Sequence, residues 1–241
     1  MTFLPDDAPA LVTGAGRGIG KAVALTLARQ NRPQILLARS ADQLDRLVTQ
    51  IRQITKAPAL AAPCDVSNDD QLLEAVDRGR RELGPIRLLV NNAGAFLDKP
   101  LAETTAQELR YVLSVNTVAP FLLARTLHPD MRDAGGGIVV NIASNAALNA
   151  YAGQSAYCAS KHAMIGWAKT FALEARPDNV RVHNVCPGGV DTEFIAGTPL
   201  ADRLKGQTMI TPGDVADIVD FLIHQPANID LPEIVVRRFS Q

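Results

Sequence analysis

The amino-acid sequence predicts a doubly wound α/β fold, in which a seven-stranded parallel sheet carries helices on both faces. Short apolar runs alternate along the chain with longer segments of helical pattern, which is typical of parallel strands joined by helical crossovers. A chain of 241 residues is long enough for one sizeable α/β core and too short for two comfortable domains. No repeat or low-complexity linker interrupts the pattern. We therefore expect one domain over residues 1–241.

The predicted strands are seven short apolar runs that lie between the helical segments. In chain order they cover 10–13, 34–39, 59–63, 86–91, 137–142, 180–185 and 233–236. Helices are expected near 18–30, 41–55, 68–82, 103–133 with a break, 155–175 and 212–224. The run Gly135-Gly136-Gly137 is interpreted as a turn into the fifth strand.

The balance of charge argues against several classes of partner. The formal net charge is −1, and the Lys and Arg residues are spread along the chain rather than clustered. Such a chain lacks the electrostatic footprint of a protein that binds nucleic acid or an anionic membrane. We therefore expect a small-molecule partner.

The cysteines and the N-terminal segment predict a cytoplasmic protein without a metal. Cys64, Cys158 and Cys186 lie far apart without metal-binding spacing, and they are interpreted as free thiols in a reducing cytosol. The four histidines share no metal spacing either. The chain begins with an acidic segment that lacks the apolar region of a signal peptide, and no run approaches the ~18 apolar residues of a membrane span.

Ser144, Tyr157 and Lys161 have a spacing that indicates a particular chemistry. Tyr157 and Lys161 are four residues apart, so a helix places them on one face, about a turn from each other. A phenol with an ordinary pKa near ~10 is a sluggish acid or base at neutral pH, and a nearby ammonium is expected to lower that pKa. The Ser144 hydroxyl completes a site that can grip a carbonyl oxygen. A lone Tyr-x-x-x-Lys pair is more often a solvated lysine beside a half-buried tyrosine, so its company decides the interpretation.

Several other motifs accompany this pair in a fixed order along the chain. They are Thr13-Gly14-Ala15-Gly16-Arg17-Gly18-Ile19-Gly20, Asn91-Asn92-Ala93-Gly94, Asn116, the Ser/Tyr/Lys set and Pro187-Gly188-Gly189. With these motifs the chain resembles the short-chain dehydrogenase/reductase family over nearly its whole length. The resemblance implies a Rossmann fold with a cofactor half at about 1–140 and a catalytic and substrate half at about 141–241.

The resemblance also implies roles for four side chains. Tyr157 would donate a proton to the carbonyl oxygen while a nicotinamide supplies hydride, and Lys161 would lower the tyrosine pKa and hold the nicotinamide ribose. Ser144 would hydrogen-bond the substrate oxygen. Asn116 would hold a water that links the lysine to solvent, although an asparagine at a helix kink is also compatible with a structural role.

The turn between the first strand and the first helix is the expected diphosphate site. Gly14, Gly18 and Gly20 there follow Gly-x-x-x-Gly-x-Gly spacing, which the common Gly-x-Gly-x-x-Gly template misses. Backbone amides and a helix N-terminus can hold a diphosphate at such a turn. Further cofactor contacts are expected from Gly16, Ile19, Asp65, Val66, Asn92, Ala93, Gly94, Pro187, Gly188, Val190 and Thr192. By resemblance Asp65 meets the adenine, but an Asp before a helix can also be a capping residue.

The end of the second strand predicts NADP(H) rather than NAD(H). An acidic residue there would bind the ribose 2′-hydroxyl and repel a 2′-phosphate, and Ala38 takes its place. Arg39 and Arg17 supply positive charge on both sides of the expected adenosine pocket.

Three functions remain open. The first is an NADPH-dependent reductase of small ketones or 3-oxo compounds, and its nearest alternative is a 3-oxoacyl-thioester reductase that acts on an acyl carrier protein. The third is a catalytically idle NADP(H)-binding sensor or scaffold, which the complete catalytic set disfavours. The segment 192–211, the family's lid, is short, so we expect a small, rather open pocket. Its few apolar residues are Phe194, Ile195, Leu200, Leu204, Met209 and Ile210.

Two predicted helices are more apolar than packing on one side requires. Their apolar residues are Val115, Val118, Phe121, Leu122, Leu127 and Met131 on one helix, and Ala163, Met164, Trp167, Ala168 and Phe171 on the other. Deep burial within one subunit would explain them equally well. The family commonly pairs these helices across a dimer interface, so the resemblance favours a homodimer or homotetramer.

Overall fold

Seven strands form one parallel sheet in the computed structural model, which describes residues 3–239. They are β1 (Ala10–Thr13), β2 (Gln34–Ala38), β3 (Ala59–Pro63), β4 (Leu88–Asn91), β5 (Gly137–Ile142), β6 (Val180–Pro187) and β7 (Glu233–Val236). Their order across the sheet is β3-β2-β1-β4-β5-β6-β7. The predicted fold class is confirmed. The strand β6 runs to Pro187, beyond its predicted end, because its last residues pair with β7.

Eight α-helices connect or flank these strands within the described residues. They are α1 (Gly18–Arg29), α2 (Ala41–Ile54), α3 (Asp69–Leu83), α4 (Ala106–Leu113), α5 (Ala119–Asp133), α6 (Ser155–Glu174), α7 (Pro199–Leu204) and α8 (Pro212–Ile223). The predicted break in the segment 103–133 is a π-helical turn, Ser114–Val118, between α4 and α5. The short helix α7 was not predicted, because six residues are too few to show a periodic apolar face.

The sheet is buried on both faces, which explains why its strands are continuous apolar runs. Alternate residues of each strand point to opposite sides. On one side Val12, Leu36 and Val140 pack with apolar residues of α1, α2 and α8. On the other side Leu11 and Val139 pack with apolar residues of α3, α5 and α6. The two helical layers leave the carboxyl ends of the strands accessible.

A ladder of three buried asparagines ties the carboxyl ends of β4, β5 and β6 together. Asn91 donates to Asn141 Oδ1 at 2.9 Å, and Asn141 donates to Asn184 Oδ1 at 3.0 Å. Asn184 in turn donates to the Pro232 carbonyl at 3.2 Å. Such bonds offset the cost of burying the amides, so they fix the sheet edge on which the catalytic segment begins.

The apolar surface of α5 and α6 is smaller than the sequence indicated. Leu127, Met131, Met164 and Ala168 are buried within the subunit, so for these residues the interface interpretation is wrong. The apolar surface that remains exposed includes Phe121, which is 49% exposed and packs edge-to-face on Trp167 at 5.8 Å between ring centroids. Val118 is 47% exposed beside it, and Leu173 on α6 is 70% exposed.

This remaining surface motivates a prediction on assembly. We expect a dimer or tetramer at micromolar concentration, and Phe121→Asp should reduce the particle size because a carboxylate is costly to bury in an apolar contact. Light scattering measures the size. Ile54→Asp on α2, where Ile54 is 42% exposed, is the matched control and should leave it unchanged. A monomeric wild-type protein would contradict the prediction.

The structure also shows whether any described helix is suited to cross a membrane. None of its helices within residues 3–239 combines the length and the apolar character that crossing a membrane requires. The cytoplasmic location stays a prediction.

Candidate active site

A cleft of about 1000 Å³ opens at the carboxyl ends of the strands. It crosses the point between β1 and β4 at which the order of the strands reverses, where doubly wound sheets bind their ligands. The sequence-predicted site residues line this cleft, except for Gly20 and Asn116, which lie behind its wall.

The glycine-rich turn between β1 and α1 leaves space that side chains would fill. Gly14 and Gly18 have φ values of 64° and 55°, which favour glycine. A Cβ at Gly14 would lie 2.9 Å from the Ala93 Cα, and one at Gly18 would lie 3.2 Å from the Thr192 Cγ2. Since Arg17 makes no side-chain cap at the start of α1, the first amides of the helix stay available to an anion.

Hydrogen bonds hold this turn against the end of β4. Thr13 Oγ1 accepts from the amides of Asn92 at 2.9 Å and Ala93 at 3.0 Å. Asn92 Nδ2 donates to the carbonyls of Thr13 at 3.0 Å and Gly14 at 3.2 Å. A Cβ at Gly20 would collide with the Gly14 carbonyl and the Asn92 amide, so Gly20 shapes the turn from behind rather than contacting a ligand.

The expected adenosine end of the cleft contains Ala38, Arg39 and Asp65. Arg39 Nη1 donates to the Tyr111 hydroxyl at 3.3 Å. Asp65 Oδ1 accepts from the Ser67 amide at 3.0 Å and from its hydroxyl at 2.7 Å. The bond from the Ser67 amide is the main reason why the pKa of Asp65 is lowered. Asp65 does not cap α3, because Asn68 does.

Arg17 joins the glycine-rich turn to the lid. Its Nη1 lies 2.6 Å from Glu193 Oε2, and both side chains are largely exposed. An exposed ion pair stabilises a protein little, so Arg17 can leave Glu193 for a phosphate at small cost.

The end of β6 forms the wall at which the nicotinamide is expected. Gly188 N donates to the Val236 carbonyl at 2.9 Å, and a Cβ at Gly188 would lie 3.0 Å from the Asn145 Nδ2. Val190 pairs with Ile210, which fixes the base of the lid, and Thr192 Oγ1 accepts from the Phe194 amide at 3.3 Å. A narrow turn, an open helix N-terminus and a long cleft together fit an extended dinucleotide.

Tyr157 and Lys161 are both buried on α6, and both line the cleft. The Tyr157 ring packs edge-to-face on Phe96 at 4.9 Å between centroids. Lys161 Nζ donates to the Ile142 carbonyl at 2.9 Å and lies 6.0 Å from the Tyr157 ring centroid. The predicted shared face of one helix is confirmed.

The predicted lowering of the Tyr157 pKa is wrong for this structure. Burial raises the pKa of Tyr157 to about 12, and hydrogen bonding to Ser144 opposes that shift only in part. Burial also lowers the pKa of Lys161 to about 8, because an ammonium is costly to desolvate. The spacing predicted that an ammonium lies near the phenol, but it could not predict that the phenol is buried.

Ser144 follows β5 and begins a short 3₁₀ turn, Asn145–Ala147. Its Oγ accepts from the Ala146 amide at 3.1 Å, and its hydroxyl also hydrogen-bonds Tyr157, so the two hydroxyl groups lie together at the cleft.

Asn116 lies in the π-helical turn and supports the site through other residues. Its Oδ1 accepts from the Ala95 amide at 2.7 Å, and its Nδ2 donates to the Ala95 carbonyl at 2.8 Å. It also donates to Ser160 Oγ at 2.9 Å, and Ser160 precedes Lys161 on α6. These bonds join the chain after β4 to the catalytic helix. Its predicted hold on a water stays a prediction.

The structure adds residues that sequence reasoning missed. Phe96 follows the Asn91-Asn92-Ala93-Gly94 motif by two residues and forms an aromatic cluster with Tyr157 and Phe194. The cleft is also lined by Asn145, Asn149, Tyr151, Gln154, Arg237 and Arg238. Met209 and Ile210 do not line it, and Ile210 belongs to the core instead. With Phe96 the pocket has a larger apolar wall than the lid alone predicted.

Other chemistry is not indicated. The three cysteines are buried free thiols. Burial raises the pKa of Cys64 and Cys186 to about 11, so both are weak nucleophiles. Among the described residues no group of His, Cys, Asp and Glu could hold a metal ion.

Comparison with known proteins agrees with this geometry. A family model described as short chain dehydrogenase matches residues 8–201. An uncharacterized oxidoreductase of Bacillus subtilis, YxjF, is 31% identical over 225 residues, which cover 93% of this chain and 87% of the relative.

Two solved structures share the whole fold. A metagenomic short-chain oxidoreductase in complex with NADP is 32% identical with a TM-score of 0.84, over 99% of this chain and 100% of the other. A 7α-hydroxysteroid dehydrogenase in complex with NADH and 7-oxo glycochenodeoxycholic acid is 27% identical with a TM-score of 0.89, over 98% of this chain and 94% of the other. These two neighbours hold different nicotinamide cofactors.

Proposed function

The chain belongs to the short-chain dehydrogenase family, and on this premise we propose that it is an NADPH-dependent reductase that converts a small ketone or 3-oxo compound into a secondary alcohol. The family makes it an oxidoreductase that uses a nicotinamide cofactor. The choice of NADPH and of a small carbonyl substrate is our proposal.

One observation carries the proposal. A buried phenol and a buried ammonium stand on one face of α6, and both are open to the same cleft as Ser144 and the glycine-rich turn. A sensor or scaffold that only binds a dinucleotide needs the turn but has no use for this costly burial of Tyr157 and Lys161.

The residues divide the reaction between them. Bound NADPH supplies the hydride. Ser144 donates a hydrogen bond to the carbonyl oxygen, and Tyr157 gives that oxygen its proton. Because the pKa of Tyr157 is raised, the phenol is protonated at neutral pH and ready to act as an acid. The Lys161 ammonium stabilises the phenolate that remains.

The cofactor preference follows from the adenosine end of the cleft. Ala38 offers no carboxylate to the ribose 2′-hydroxyl, and Arg39 and Arg17 line the same cleft. Guanidinium groups suit a phosphate, so this end favours the 2′-phosphate of NADP(H).

A substrate panel tests the proposed reduction. NADPH consumption is measured with methyl ketones, 3-oxoesters and vicinal diketones of increasing chain length. We expect turnover of small members and a kcat/KM that levels off after a few carbons, since the apolar wall is limited and each buried methylene adds at most ~0.8 kcal/mol. A kcat/KM that keeps rising out to long chains would favour the 3-oxoacyl-thioester alternative.

The shifted pKa values of Tyr157 and Lys161 predict how the rate of reduction depends on pH. Below about 8 Lys161 is an ammonium and Tyr157 a phenol, and this fully protonated pair can give up a proton. Raising the pH through about 8 removes the Lys161 proton, so the ammonium that would stabilise the phenolate is lost and reduction should slow. Measuring log kcat/KM for reduction against pH checks this. Reduction that stays constant up to the ordinary tyrosine pKa of about 10 would contradict it.

A further inference from the structure

Two consecutive arginines beyond β7 line the same cleft as the catalytic side chains. Arg237 and Arg238 follow Val236, whose carbonyl accepts from Gly188 N at 2.9 Å. This bond fixes the end of β7 beside the turn that follows β6. The backbone of both arginines thus continues from the end of the sheet.

Arg238 is half-buried and held in place. Its Nη1 donates to Gln207 Oε1 and lies 3.7 Å from Met209 Sδ. Met209 packs against Gly189, another residue of the cleft wall. These partners are neutral, so they orient the Arg238 guanidinium without neutralising its charge.

Neither arginine has a carboxylate partner within residues 3–239, whereas Arg17 pairs with Glu193 and Arg203 with Asp98. In that part of the chain the acidic residues lining the cleft are Asp65 and Glu193. Asp65 is occupied by Ser67, and Glu193 by Arg17. The wall of the cleft at the ends of β6 and β7 therefore carries uncompensated positive charge.

We propose that the substrate is a carbonyl compound bearing a carboxylate, which Arg238 binds with help from Arg237. The proposal rests on the proposed reduction and names its substrate class. A planar guanidinium fork matches a carboxylate. The cofactor phosphates do not explain the pair, because their expected contacts, the glycine-rich turn with Arg17 and Arg39, belong to the cofactor half. Both side chains line the cleft itself, which favours a group on a small substrate over an acidic surface of a carrier protein.

Matched substrates test the proposal. Acetoacetate and 4-oxopentanoate are compared with their methyl esters by kcat/KM at saturating NADPH. We expect the acids to be favoured by at least about tenfold, equivalent to about 1.4 kcal/mol, and this preference to fall as salt is added. Arg238→Gln should remove most of the preference, because KM should rise much more for the acids than for the esters. Arg238→Lys should restore part of it.

Lys205→Gln is the charge-matched control, since Lys205 is an exposed lid cation that does not line the cleft. It should leave the preference unchanged. Equal kcat/KM for acids and esters in the wild-type protein would overturn the carboxylate proposal and leave the reductase proposal standing. So would an acid preference that survives in the Arg237→Gln, Arg238→Gln double variant. An acidic carrier protein that is favoured over both small acids would overturn it as well.

If no carbonyl compound is reduced, the reductase proposal fails, and calorimetry decides the carboxylate proposal separately. Acetoacetate and its methyl ester are titrated into the NADP⁺-loaded protein. Tighter binding of the acid that is lost in Arg238→Gln supports the proposal, and equal or undetectable binding of both overturns it.

Discussion

Tyr157→Phe should lower kcat by at least about a hundredfold, the lower end of what a positioned general acid contributes. The substitution removes the phenol hydroxyl and keeps the ring that packs on Phe96 at 4.9 Å. Fold and cofactor affinity should therefore be nearly intact. Steady-state kinetics gives kcat, and fluorescence titration with NADPH gives the dissociation constant.

Tyr151→Phe is the matched control, because Tyr151 also lines the cleft but is 44% exposed and lies outside the aromatic cluster of Phe96, Tyr157 and Phe194. It should change kcat far less. If Tyr157→Phe kept more than about a tenth of wild-type turnover, another group would be the acid. A loss of less than about tenfold is smaller than the contribution of a positioned general acid.

Ala38→Asp should reverse the cofactor preference. We expect the wild-type protein to favour NADPH over NADH by at least about tenfold in kcat/KM, or about 1.4 kcal/mol. Ala38 ends β2 and lines the cleft close to Gly16, so a carboxylate there faces the adenosine end. It would repel the 2′-phosphate of NADPH and accept a hydrogen bond from the ribose hydroxyl of NADH.

Two further variants separate charge from shape in this prediction. Ala38→Asn introduces a neutral side chain that is nearly isosteric with aspartate, so it should weaken NADPH binding much less than Ala38→Asp does. Glu193→Gln should strengthen NADPH binding, because it frees Arg17 from its 2.6 Å ion pair. Equal kcat/KM for both cofactors in the wild-type protein would contradict the assignment of NADP(H).

The fold was predictable because its signals are local. Buried parallel strands need continuous apolar runs, and the crossovers between them need helical periodicity, so both are visible in the sequence. The tight turn at Gly14 and Gly18 was also predictable, since glycine is the residue that most readily adopts the positive φ values found there. The helix α7 was not, because its six residues are too short to show a period.

The sequence predicted which residues form the site, but it did not predict their pKa values. The four-residue spacing placed Tyr157 and Lys161 on one face of α6, but it could not show that both are buried. Burial raises the pKa of Tyr157 and lowers the pKa of Lys161. For the phenol this is opposite to the lowering that a nearby positive charge alone would cause.

Arg237 and Arg238 illustrate a different limit. The segment around them contains no motif with the spacing of a binding site. They reach the cleft because β7 pairs with β6 in a register that sets Val236 opposite Pro187. Pairing between segments so distant along the chain is a property of the folded sheet, which residue spacing does not reveal.

Transfer of deuterium from NADPH labelled at C4 of the nicotinamide tests the central claim most directly. Each face-specific label is supplied with a small methyl ketone, and the alcohol is analysed by mass spectrometry. The account predicts one deuterium on the carbinol carbon from one of the two labelled cofactors, with formation of this alcohol strongly reduced in Tyr157→Phe. Unlabelled alcohol from both cofactors, or labelled alcohol formed equally fast by Tyr157→Phe, would contradict it.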